Sequence, residues 1–139
     1  MKKLIAFLAC VSFLAGCGRG EASPRDTHLQ EPGRKAEYRK ISAAEAHKMM
    51  AEAVSYILLD VRTAEEFREK RIEGALLIPD NEIRGRAEKE LPDKTILLLV
   101  YCRSGRRSAN AAGELIRMGY VNVYDFGGII AWPYETAGG

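Results

Sequence analysis

Three nearly uninterrupted apolar runs dominate the chain: YILLDV at residues 56–61, ALLIP at 75–79 and TILLLVY at 95–101. A strand with one wet face would alternate polar and apolar residues, so runs of this kind belong to strands covered on both faces. The segments between them read as helices. Ser42-Ala43-Ala44-Glu45 and Thr63-Ala64-Glu65-Glu66 each have the capping-box pattern, a hydroxyl followed three residues later by glutamate. After the first box, Ala46, Met49, Met50 and Ala53 share one face, which assigns the methionines to the core and turns His47 outward. The second opens a short helix with Phe67 facing inward. Residues 82–90 form a further helix, closed by Leu91-Pro92, and residues 108–118 another, stopped by Gly119. VNVYDF supplies a last strand. Alternation of this kind predicts an α/β fold, a mostly parallel sheet with helices on both faces. Such sheets bind ligands beyond the carboxyl ends of their strands. Cys102 stands there, at the end of the most apolar run.

The chain outside this pattern is of another kind. It opens on MKK, continues as LIAFLACVSFLA, and reaches Gly16-Cys17. A basic start, an apolar run well short of the ~20 residues of a spanning helix, and small residues before a break describe an export signal. Leu14-Ala15-Gly16-Cys17 is similar to a bacterial lipobox. That resemblance implies cleavage after residue 16 and acylation of Cys17, the alternative being an ordinary cleaved signal with a coincidental cysteine. More than one acyl chain gives stable anchoring. Residues 18–36 hold two prolines, three glycines, both charge signs and one large aliphatic side chain, Leu29. This composition buries too little to offset chain entropy, so residues 17–36 are expected to be a lipidated cysteine and a disordered tether, with His28 solvated. Nineteen residues of coil would average roughly 25 Å end to end. Residues 37–139 remain as one domain. Gly18 is not the aspartate that favours inner-membrane retention. The expected location is therefore the periplasmic side of an outer membrane, or the outer face of the cell membrane in a host with only one.

The net charge of +2 belongs to Lys2 and Lys3. A balanced remainder gives no reason to expect nucleic acid or a polybasic membrane patch. Of three cysteines, Cys10 leaves with the signal and Cys17 carries lipid. Cys102 stays without a disulfide partner, which also excludes a cysteine-based zinc site. No metal or cofactor is expected. A lone cysteine is either a small core hydrophobe or a reactive thiol.

The residues around it favour chemistry. Cys102-Arg103-Ser104-Gly105-Arg106-Arg107-Ser108 joins strand to helix. A short loop of this kind can turn successive N–H groups inward as a nest, and the helix start adds its own unpaired N–H groups. Gly105 permits a backbone angle closed to most residues, and Ser108 is expected to cap the helix. The ring of N–H groups and the helix dipole both favour negative charge at the sulfur and lower the thiol pKa from ~8.5. Arg103, Arg106 and Arg107 add positive charge for an incoming anion, where a bland reading would make them a solvated loop.

Here the sequence resembles the rhodanese-like sulfurtransferases, over nearly all of residues 37–132. The resemblance rests on Ile41-Ser42, on Leu59-Asp60-Val61-Arg62 with Glu66-Phe67, on residues 101–108, and on Gly127-Gly128-Ile129-Ile130-Ala131-Trp132. The chain departs from the family pattern at Arg71 and Glu73, where histidine and proline are usual. The resemblance implies a ping-pong sulfur transfer. Cys102 would take sulfur from an anionic donor such as thiosulfate, hold it as a persulfide, and yield it to a thiol, to a cyanide-like acceptor or to a protein. The N–H groups of residues 103–107, which include Ser104 and Gly105, would stabilise the persulfide. Arg107, helped by Arg103 or Arg106, would hold the donor. Asp60 and Arg62 would brace the loop, or else form a plain surface pair; Asp125 and Trp132 lie on the last segment, Trp132 as packing. Two alternatives stand beside this. One is a persulfide carrier or non-catalytic binding module. The other is a phosphatase or arsenate reductase, disfavoured because a phosphatase-like loop would need arginine where Ser108 stands, one position after Arg107.

Overall fold

In the computed structural model, which describes residues 37–139, the strands form one sheet and every pairing in it is parallel. The expected signal, lipidated Cys17 and tether, residues 1–36, lie outside the described residues. The strands are β1 (Arg39–Lys40), β2 (Ile57–Asp60), β3 (Leu76–Leu77), β4 (Leu98–Cys102) and β5 (Val123–Gly128). Four α-helices lie between them: α1 (Ala43–Glu52), α2 (Ala64–Glu69), α3 (Ile83–Glu90) and α4 (Arg106–Arg117). Single 3-10 turns occupy Asp80–Glu82 and Ile129–Ala131. Both capping boxes form as expected, Ser42 with Glu45 and Thr63 with Glu66. Among the described residues no helix is long and apolar enough to cross a membrane.

Side-chain alternation along the buried strands fills two cores. Leu98, Val100 and Cys102 face α3 and α4 together with Leu59, Val61, Ile83, Ala111 and Leu115. Leu99 and Tyr101 face the other way, toward Ala46 of α1, Leu58, Phe126 and Trp132. Helices therefore cover both faces, and this is why β2 and β4 read as unbroken apolar runs. Met49 and Met50 pack against the second core, and His47 is exposed.

Several boundaries differ from the sequence reading. Residues 95–97 precede β4, which runs on to include Cys102 itself. β3 is confined to two residues, and β5 continues through Gly127-Gly128. α4 starts at Arg106, before Ser108. Gly105, at φ 106°, is its left-handed N-cap and turns the chain sharply enough to begin the helix early. Ser108 is then an interior residue of the first turn, which corrects its expected role as the cap.

The sheet order is β1-β5-β4-β2-β3. From β2 the chain steps outward to β3, returns past β2 to β4, and then proceeds in the opposite direction. The order thus reverses between β2 and β4, and the carboxyl end of β4 opens at that switch point, where α/β sheets place their ligands.

Candidate active site

Cys102 ends β4 at this position and is only 1% exposed. Its sulfur points into the turn that starts α4, and the Gly105 N–H donates to Sγ at 3.0 Å. Burial alone pushes the thiol pKa up. The Ser108 N–H and hydroxyl, with the N–H groups of Gly105 and Ser104, outweigh burial and hold it below its ordinary value. The Ser108 hydroxyl has one proton and three acceptors within reach: Gly105 O at 3.1 Å, Gly127 O at 3.3 Å and the cysteine sulfur. Once the sulfur is charged it is the strongest of the three, so the hydroxyl serves the thiolate and reverts to a carbonyl otherwise. This is an inward-facing ring of donors around one sulfur, contributed by Ser104, Gly105 and Ser108 where the sequence pointed to residues 103–107.

The back of the ring is held by β5. A Cβ on Gly128 would lie 2.2 Å from Arg103 O and 2.6 Å from Ser104 Cα, so only glycine lets the loop backbone settle there. The Ile130 N–H donates to Arg103 O at 3.3 Å, and Gly127 approaches Gly105 closely. The buried Asp125 fixes this turn by accepting the Gly127 N–H on Oδ1 at 2.9 Å, a role its sequence context did not signal.

The arginines divide. Arg103 and Arg106 are exposed, and among the described residues neither side chain has a hydrogen-bonded or ionic partner. Arg107 is not free in this way. Both of its terminal nitrogens donate to the Glu66 carboxylate at 2.8 Å, a two-pronged bridge from α4 to α2. The Arg107 guanidinium holds the Glu66 carboxyl down to about 2. Arg107 therefore contributes fixed positive charge beside Cys102, and the two arginines open to solvent are better placed to meet a donor. Glu66 was legible only as a capping residue. A pairing across 41 positions leaves no local signal.

Asp60 and Arg62 are not a surface pair. Both are buried, joined by three side-chain hydrogen bonds of 2.6–3.1 Å, and Arg62 also donates to Lys70 O at 2.6 Å. Arg62 lies over the Tyr101 ring, and the Tyr101 hydroxyl accepts the Ile72 N–H at 3.2 Å. The pair braces β2 and the strand before the cysteine; among the described residues its bonds do not extend to loop 103–107. Trp132 packs in the second core, as expected.

Comparison with known proteins agrees with this geometry. A family described as "Rhodanese-like domain" matches residues 42–134. The Thiosulfate sulfurtransferase PspE of Escherichia coli (strain K12) is 39% identical over 77 residues, which is 54% of this chain and 74% of that protein. A Sulfurtransferase of Allochromatium vinosum is 34% identical over 94 residues, 67% of this chain and 86% of that one. Among solved structures, a rhodanese with anions from E. coli superimposes with a TM-score of 0.58 at 33% identity, covering 61% of this chain and 100% of the other.

Proposed function

The chain belongs to the rhodanese-like family, and on that premise we propose that it is a sulfurtransferase carrying sulfur on Cys102, with thiosulfate or a similar anion as donor. The observation that carries this reading is the ring of N–H and hydroxyl donors converging on a single buried sulfur. In the first half-reaction the Cys102 thiolate attacks the outer sulfur of thiosulfate. The donor's S–S bond breaks, sulfite leaves with the bonding pair, and Cys102 holds a persulfide anion. In the second, an acceptor such as cyanide attacks the terminal sulfur. Thiocyanate leaves and the thiolate is restored. Each half-reaction places negative charge where the ring already points its donors, so little reorganisation is needed. Arg103 and Arg106 supply open positive charge for the dianion, and Arg107, fixed by Glu66, adds to the field at the sulfur.

The proposal extends to cellular placement: an exported lipoprotein anchored through Cys17, acting outside the cytoplasm. It rests on the first seventeen residues of the sequence.

Intact mass tests the chemistry directly. The chain should gain one sulfur atom on exposure to thiosulfate, and cyanide should remove it as thiocyanate. Cys102→Ser should gain nothing. An unmodified wild-type mass whose thiol still alkylates would favour a partner-dependent carrier or binding module; a thiol that neither loads nor alkylates would be a core residue.

A further inference from the structure

A second cavity lies on the opposite face of the sheet from Cys102, against α1. It has a volume of about 710 Å³, and its walls include His47, Tyr56, Trp132 and Tyr134, with Glu73 and Glu135. This is within the usual range for a small-molecule site. The lining contains no lysine or arginine. Among the described residues neither carboxylate is paired with a cation, so the cavity carries uncompensated negative charge.

The rings are arranged in a particular way. Trp132 and Tyr134 meet edge to face at 70°, their centroids 5.0 Å apart, and so form two perpendicular walls. His47 stacks on one face of Tyr134 at 3.8 Å and backs that wall. Trp132 is seated in the core against Phe126, and its Nε1–H donates to Glu135 O at 3.4 Å, tying the segment that carries one carboxylate to the aromatic wall. Trp132 itself is buried at 8% exposed, so the aromatic surface open to the cavity is that of Tyr134 and Tyr56, each 38% exposed. Exposed aromatic surface with carboxylates in the same lining attracts a diffuse positive charge through ring quadrupoles and Coulomb attraction together.

We propose that this cavity is a binding site for a small organic cation of the alkylammonium or quaternary ammonium class, separate from the sulfur-transfer site. The exposed aromatic surface of Tyr134 and Tyr56, backed by the buried Trp132, receives the ammonium group, and Glu73 and Glu135 neutralise it from the rim. The site does not depend on the state of Cys102, whose side chain faces the other core.

Trp132 is the single tryptophan of the chain, so its fluorescence reports on this corner alone. The full chain is titrated with choline at constant ionic strength, beside the neutral isostere 3,3-dimethyl-1-butanol. Saturable change with choline at roughly tenfold lower concentration than with the isostere is the expected result. Tyr134→Ala should abolish it and Glu73→Gln with Glu135→Gln should weaken it, while sulfur loading at Cys102 stays at the wild-type rate and shows that both variants fold. An equal response to the neutral isostere would overturn the proposal by reducing the site to an apolar hollow. No saturable response to choline in a chain that loads sulfur normally would overturn it outright.

Discussion

Ser108 leads the interactions that oppose burial at the Cys102 sulfur. The sulfur is buried, which by itself favours the neutral thiol, and the Ser108 N–H and hydroxyl lead the opposing interactions. Removing the hydroxyl leaves the backbone donors and the fold of α4 in place but takes away one bond to a charged acceptor. Such a bond contributes about 1.5 kcal/mol, roughly tenfold in an equilibrium, so Ser108→Ala should raise the thiol pKa. The rate of sulfur loading followed against pH reads this directly. Its rising limb should move to higher pH, with about tenfold slower loading on that limb and the same plateau once the thiol is fully ionised. An unmoved limb would mean that the backbone N–H groups alone set the thiolate. The turn around Cys102 was legible in the sequence, since a cysteine, a glycine three residues on and a helix start are all local features. The cap was not, because only the left-handed turn at Gly105 shows that the helix begins before Ser108.

Two contacts between elements keep the ring in shape, and they differ in how far sequence alone could reveal them. Gly127-Gly128 could be read as a motif but not explained; the reason is the 2.2 Å approach of a would-be Cβ to Arg103 O. The obstacle is backbone, which cannot rotate aside, so Gly128→Ala must displace loop 103–104 or β5. Sulfur loading should fall about a hundredfold, as a misplacement near 1 Å costs. Thermal unfolding should show a stability loss of only ~1–3 kcal/mol, so that the site suffers more than the fold. The Glu66–Arg107 bridge joins elements 41 residues apart and could not be read from either end. Because the Glu66 carboxyl sits at about 2 when folded, against 4.5 as its ordinary value, the bridge stabilises fully above the higher figure and is lost as pH falls toward the lower. Glu66→Gln should therefore cost about 1 kcal/mol at neutral pH, the scale of a largely solvent-screened pair. Urea midpoints compared between neutral pH and pH near 3 should show the gap between variant and wild type closing in acid. A gap that stays open would assign the loss to packing of α2.

At the scale of the whole molecule, polarity is the main consequence of an all-parallel sheet. The architecture was legible because unbroken apolar runs and capping boxes belong to β2, β4, α1 and α2 themselves. β1 was not, since it is two exposed residues with no apolar pattern, and the contact of the Arg39 guanidinium with the Tyr124 ring and hydroxyl on β5 joins positions 85 apart. Yet β1 sets the direction in which the domain is entered. Arg39 is level with Tyr124, which in turn is level with Leu99, so the chain enters β1 toward the amino end of β4 and Cys102 stands at the carboxyl end. From the level of Leu99 to Cys102 is three residues of strand, roughly 10 Å at the usual rise. An anchor at Cys17, as proposed, would then join the domain through β1, whose amino end points away from the sulfur. In vesicles carrying the lipidated chain on their outer surface, thiosulfate should load Cys102 as fast as it does in detergent. Deleting residues 20–34, which draws the domain toward the bilayer, should slow loading by no more than about twofold, because contact would fall on the amino pole first. A steep loss on shortening, absent when the same shortened chain is assayed in detergent, would mean that the carboxyl pole faces the membrane and that the tether is needed to hold the site clear of it.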